Sequence, residues 1–116
     1  MTAGDDPHAA YLAACDPAAR DRLLAIRAEA ERRLPQATRC IAYQMPALKA
    51  GRVFFYFAAF KHHIGVYPPV HGPAGLLDEI APYAGPKGNL AFPHEAPLPL
   101  DLIGRVAQGL AQQYAR

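Results

Sequence analysis

Val53-Phe54-Phe55-Tyr56-Phe57-Ala58-Ala59-Phe60-Lys61-His62-His63-Ile64-Gly65-Val66-Tyr67 is the stretch that decides the fold. From Val53 to Phe60 the chain is apolar on both alternating faces, and it is rich in aromatic side chains. That is the pattern of a central strand, covered on both sides or covered on one and partly open on the other. Lys61-His62 reads as a tight turn, since His tolerates the left-handed backbone region better than most residues. His63 to Tyr67 then returns as a second strand, ended by Pro68-Pro69. Strands joined by so short a turn must run antiparallel.

Working outward, Arg39 to Met45 alternates, with Ile41, Tyr43 and Met45 on one side and Cys40, Ala42 and Gln44 on the other. It reads as a strand broken by Pro46, with Ala47 to Ala50 as a further short strand and Gly51-Arg52 as a turn. Before it, Asp6-Pro7 and Asp16-Pro17 each look like a helix start, with Asp as cap and Pro in the first turn. The first helix would cover Pro7 to Ala14. The second keeps Ala19, Leu23, Ile26, Ala30 and Leu34 near one face until Pro35. After the central strands, Pro73 opens a helix with Leu76, Leu77 and Ile80 as its apolar stripe, limited by Pro82. Gly85 to Asn89 is a loop, Leu90 to Phe92 a brief strand, and the last helix turns Leu102, Ile103, Val106, Leu110 and Tyr114 inward. The expected architecture is α+β: a small two-layer sandwich, an antiparallel sheet of about five short strands with N-terminal, middle and C-terminal helices.

The size agrees with a single domain covering residues 1–116. Hydrophobic residues make up 52% of the chain, but 24 of them are Ala, so the core is modest. Nine Arg and three Lys are interspersed with ten acids, for a net charge of +2, which argues against a sequence-independent grip on nucleic acid. No segment approaches the ~20 apolar residues of a membrane helix. The polar, acidic stretch Met1 to His8 lacks the marks of a signal peptide, and Cys15 and Cys40 stand alone, as fits a reducing compartment. The expectation is a cytoplasmic protein.

Tyr43-Gln44-Met45-Pro46-Ala47, followed by Phe57 through Pro68, carries a more specific likeness. With Lys87-Gly88, Phe92-Pro93 and Pro97-Leu98-Pro99 ahead of an amphipathic helix, it resembles the YdhG-like family over residues 8–113. That family is largely uncharacterised and includes bacterial frataxin-like iron chaperones; its fold is a small α+β sandwich. The position of His62 is usually Asn there, in keeping with a turn. Pro86 stands where the family usually has Ser or Thr, which removes a hydroxyl and a backbone donor from the loop. The resemblance implies a non-catalytic binding protein, with iron as cargo and iron–sulfur assembly proteins as partners.

Two readings of the chemistry follow. A labile iron site would use hard, exposed carboxylates, and the candidates are Asp5, Asp6, Asp16, Asp21, Glu29 and Glu31, with Asp21 and Glu29 the ones to substitute. On the second helix, however, Arg20, Arg22, Arg27, Arg32 and Arg33 outnumber the acids, and pairing of opposite charges along the helix explains Glu29 as well. The alternative is a module for a small anionic ligand or a peptide, with Tyr43, Lys61, His63, Tyr67 and Lys87 as the pocket rim. His63 and Tyr67 are four apart and so share a strand face. The plain competitor is that both tyrosines are core residues and the lysines are solvated. His62-His63 makes a poor metal pair, because neighbours on a strand face opposite ways and no Asp, Glu or Cys lies within five residues. The chain has no Ser, and Cys40 reads as packing, so nucleophilic catalysis is not expected. Gly85-Pro86-Lys87-Gly88 is too short for a phosphate loop. A face left open by the central strand would accept a partner or a second copy, so monomer and homodimer both stand.

Overall fold

The computed structural model describes residues 6–115. Asp5, one of the candidate carboxylates, lies outside them. Five strands, Thr38–Ala42 (β1), Met45–Ala50 (β2), Arg52–Ala59 (β3), His63–Tyr67 (β4) and Leu90–Pro93 (β5), form one sheet in the order β1-β2-β3-β4-β5. Every neighbouring pair is antiparallel. The helices are Ala9–Ala14 (α1), Pro17–Arg33 (α2), Ala74–Ile80 (α3) and Leu100–Tyr114 (α4), with a 3-10 turn over Ala81–Tyr83 after α3. This is the α+β arrangement the sequence predicts. Helices α2 and α4 pack on each other and on β3. The buried stripe of α2 is Ala19, Leu23, Ile26 and Ala30, and that of α4 is built on Leu102, Ile103, Val106 and Leu110. They close over Leu48, Phe55, Phe57, Ile64, Val66 and Phe92 of the sheet.

Several boundaries differ from the sequence reading: the first helix begins at Ala9 and not at Pro7, with His8 and not Asp6 at its N-cap, and two more concern the strands. The strand expected from Arg39 to Met45 ends at Ala42, and Tyr43 and Gln44 form a two-residue turn with φ of 52° and 64°. Both central residues at positive φ give a hairpin whose hand matches the strand twist, normally the place of Asn-Gly. Nor does Pro46 break a strand. It pairs with Ile41, and the β2–β3 register begins one residue later, at Ala47 opposite Tyr56. With no N–H to donate, it lies near the start of β2 and outside the β2–β3 register. The doubly apolar run of β3 has its own cause. The register shifts between Leu48, opposite Phe55, and Lys49, opposite Val53, so Phe54 is skipped. A bulge of this kind breaks the strict alternation, and Phe54 and Phe55 are both fully buried.

Beyond the bulge the alternation is regular and defines an outer face. Ala47, Tyr56 and Tyr67 are cross-strand partners in turn, and Ala58 partners Gly65 one step along. A Cβ on Gly65 would stand 2.8 Å from Phe60 Cε2 and 2.9 Å from the Tyr67 ring. The missing side chain is what lets these rings lie against the sheet.

Helix α1 is too short to hold itself and is seated by side chains. His8, fully buried just before it, places Nε2 3.0 Å from both Cys40 O and Ala47 O, while Nδ1 lies 3.2 Å from Arg27 Nη1. Both carbonyls can only accept, and Arg27 can only donate, so the ring is neutral with its proton on Nε2. Tyr11 Oη accepts from the Ala59 N–H at 3.1 Å and lies 3.5 Å from Ala59 O. These are the groups of β3 left facing β2 where the β2–β3 pairing has ended.

Candidate functional site

Two concavities carry the polar chemistry. The first is a cleft of about 540 Å³ between the α1–α2 junction and the β3–β4 turn. Its walls are low because Ala14, Ala18 and Ala19 line them, and its polar groups are Tyr11, Asp16, Arg22, Lys61 and His94. Arg22 reaches across the sheet end and donates from Nη2 to Pro93 O at 2.8 Å, while its Nε is buried with no partner. His94 Nε2 donates to Phe60 O at 2.7 Å, which ties the residue after β5 to the end of β3. The first turn of α2 opens here, and its N-cap Asp16 makes no side-chain cap bond. The free N–H groups of that turn add positive character to the cleft.

The disposition of cations across the molecule is uneven. Arg27 and Arg39 share Asp6, Arg39 also holds Glu31, Arg32 and Arg33 hold Glu29, and Arg33 and Arg105 hold Asp101. Among the described residues Arg22 and Lys61 belong to no such pair, nor do Arg20, Lys49, Arg52 and Lys87, but only Arg22 and Lys61 of these line the cleft. Against them stands one carboxylate, Asp16, so the lining is net positive. Burial pushes the Cys15 thiol up, and Sγ contacts Tyr11 O at 3.3 Å. That environment favours the protonated thiol. Burial likewise pushes the Tyr11 phenol up, so it serves as a neutral hydrogen-bonding group.

The second concavity is a groove of about 400 Å³ lined by Tyr43, Tyr56, Tyr67 and Tyr114, with Met45, Val53, Pro68 and Asn89. It contains no charged side chain. Tyr43 is 83% exposed, with its ring centroid 5.8 Å from that of Tyr56. It is not the core residue that the plain reading allowed.

The five residues expected to form one rim are thus distributed. Tyr43 and Tyr67 line the groove, and Lys61 lines the cleft. His63 lines neither; it stacks on Phe60, with centroids 5.1 Å apart. Lys87 is exposed in the loop after the 3-10 turn, where Gly88 adopts φ of 88°. The cause is the strand length: Lys61 caps one end of the β3–β4 hairpin and Tyr67 leaves at the other. Arg22, His94 and Tyr11 were not singled out from the sequence. The visible signal was the run of alanines beside Arg22, which leaves a wall with no bulk, next to a lysine that ends a strand.

The carboxylates do not gather. Glu29 accepts from Arg33 Nε at 2.6 Å and from Arg32 Nη2, and these bonds hold its pKa below the usual range. Asp21 is exposed on α2, and among the described residues no group of three or more His, Cys, Asp or Glu is placed to hold a metal ion. No helix among them is long and apolar enough to cross a membrane.

No protein-family model matches the chain, and no curated protein matches it. Among solved structures, the fold is similar to the crystal structure of a DUF1801-family protein, YdhG, from Bacillus subtilis. The TM-score is 0.79 at 22% identity, covering 92% of this chain and 90% of that one. At that identity the likeness speaks for the fold, a YdhG-like domain.

Proposed function

We propose that this YdhG-like domain is a non-catalytic binding module that takes a small anion, a carboxylate or a phosphate, in the cleft between α2 and the β3–β4 turn. One observation carries the reading. In a chain whose arginines are mostly bound to carboxylates, the two cations lining this cleft, Arg22 and Lys61, are in no ion pair among the described residues. A concave site with a few polar groups fixed in an apolar wall is what a small ligand needs. Lys61 supplies a mobile point charge, Arg22 a planar fork already braced by Pro93 O, and the first turn of α2 free backbone donors. Burial raises the pKa of both the thiol and the phenol of the cleft, which supports a binding rather than a nucleophilic role for them.

The test is calorimetric titration of the full chain with inorganic phosphate at low and high salt. Saturable heat is expected, weakening as salt rises and falling at least about tenfold in Lys61→Ala, the size of a lost charge-assisted hydrogen bond. Arg22→Gln should act in the same direction. Absence of heat at millimolar phosphate, or unchanged affinity in Lys61→Ala, would end the proposal. Iron handling, which the family resemblance implied, has no cluster of hard ligands to support it among the described residues.

A further inference from the structure

We infer that the tyrosine groove is a second, separate site, and that it receives an uncharged, proline-rich segment in the polyproline II conformation. The groove is built for a neutral occupant: its lining offers four phenols and the Asn89 amide but no charge. No hydrogen bond joins any of the four phenol groups to another described residue, so each is free to donate to an occupant of the groove. A hydrocarbon occupant would bury those groups unpaired, at a cost. An added β-strand needs a free strand edge, and Tyr56 and Tyr67 sit on β3 and β4, each paired on both sides. An α-helix would bring carbonyls already bonded within itself. A polyproline helix has no internal hydrogen bonds, so its carbonyls face outward and suit fixed phenol and amide donors.

Tyr56 and Tyr67 are direct cross-strand partners, and Tyr43 lies against Tyr56 with ring centroids 5.8 Å apart. Tyr56 and Tyr67 are carried by strands, with the Tyr67 ring lying over Gly65, so the platform is set before the ligand arrives.

Nitrogen-15-labelled full-length chain titrated with a blocked decaproline peptide tests this, with a Gly-Ser peptide of equal length as control. The expected result is saturable amide shifts at Tyr43, Tyr67 and Asn89 with decaproline alone. Tyr43→Ala, which removes a ring exposed to solvent and leaves the core untouched, should weaken binding at least about threefold. Tyr114→Phe keeps the ring and removes the donor, and should weaken it too. Lys61→Ala should leave it unchanged, which separates this site from the anion cleft. The inference is overturned by the absence of shifts at millimolar decaproline, by equal binding of the Gly-Ser peptide, by shifts confined to Lys61 and His94, or by an unaffected Tyr43→Ala variant.

Discussion

Replacing His8 with Ala should lower the stability of the domain by about 3 kcal/mol. The ring is fully buried and packs edge-on against Phe57 at 5.6 Å, so its loss leaves a void in the seat of α1. Truncating a buried ring of this size costs on the order of 2–4 kcal/mol once the void is included, and each lost hydrogen bond adds about 1 kcal/mol at most where its partner keeps another. Here the partners do: Arg27 still has Asp6, and Cys40 and Ala47 still pair with each other. With an unfolding entropy of about 2.1 cal/mol/K per residue, the melting temperature should fall by about 12 °C. Thermal unfolding followed by circular dichroism reads this directly. The pH dependence makes the test sharper. Burial pushes the His8 imidazole below 6.5, and the adjacent Arg27 guanidinium pushes the same way against the two carbonyls and Asp6. The unfolded chain thus takes up this proton at a higher pH than the folded one. The contribution is complete above about pH 6.5 and fades as the pH falls toward the lower folded value. The gap between parent and variant should therefore narrow from about pH 7.5 to about pH 5. A gap below about 1 kcal/mol, or one that stays flat or widens on acidification, would refute the neutral, doubly anchored imidazole.

Other substitutions probe the frame. Gly65→Ala forces a methyl into Phe60 and Tyr67 and should cost about 1–3 kcal/mol, measured by urea denaturation. Phe54→Ala empties the bulge position in the core and should cost about 3–5 kcal/mol by the same assay, unlike a surface aromatic. Tyr11→Phe leaves the Ala59 amide without its acceptor, and hydrogen exchange at Ala59 should speed up while the exchange of the β3–β4 ladder holds. In the acid limb, burial opposes the Asp6 carboxylate, but the His8 N–H and the guanidiniums of Arg27 and Arg39 outweigh it and hold its pKa below 3.8. Its stabilisation is present above that value and lost below, so Asp6→Asn should flatten the denaturation profile only under about pH 4.

The fold was legible because its decisive signals are local. An apolar aromatic run, a short polar turn and a proline stop need no tertiary information to mark β3 and β4, and the helices announce themselves by period and by a Pro at or just before their start. The Tyr43-Gln44 turn was not legible. Neither residue advertises positive φ, and only the pairing of β1 with β2 reveals that the chain reverses there. The bulge at Phe54 is invisible for the same reason: a register belongs to two strands at once. The site was half legible. Tyr43, Lys61 and Tyr67 do line concavities, but their assignment to one rim assumed a hairpin short enough to bring its two ends together. Arg22 and His94 come from elements distant in sequence, and their meeting depends on how α2 crosses the end of the sheet.

The phenol of Tyr11 closes the amide and carbonyl of Ala59 in place of a neighbouring strand. That single side chain stands in for the β2 partner missing at the end of β3. A fragment beginning after Ala14 would uncover an unsatisfied backbone notch beside Phe57 and Phe60, able to recruit a foreign extended segment. Shortened versions of this domain should accordingly show faster amide exchange at Ala59, even where the remaining core is sufficient to hold the sheet together.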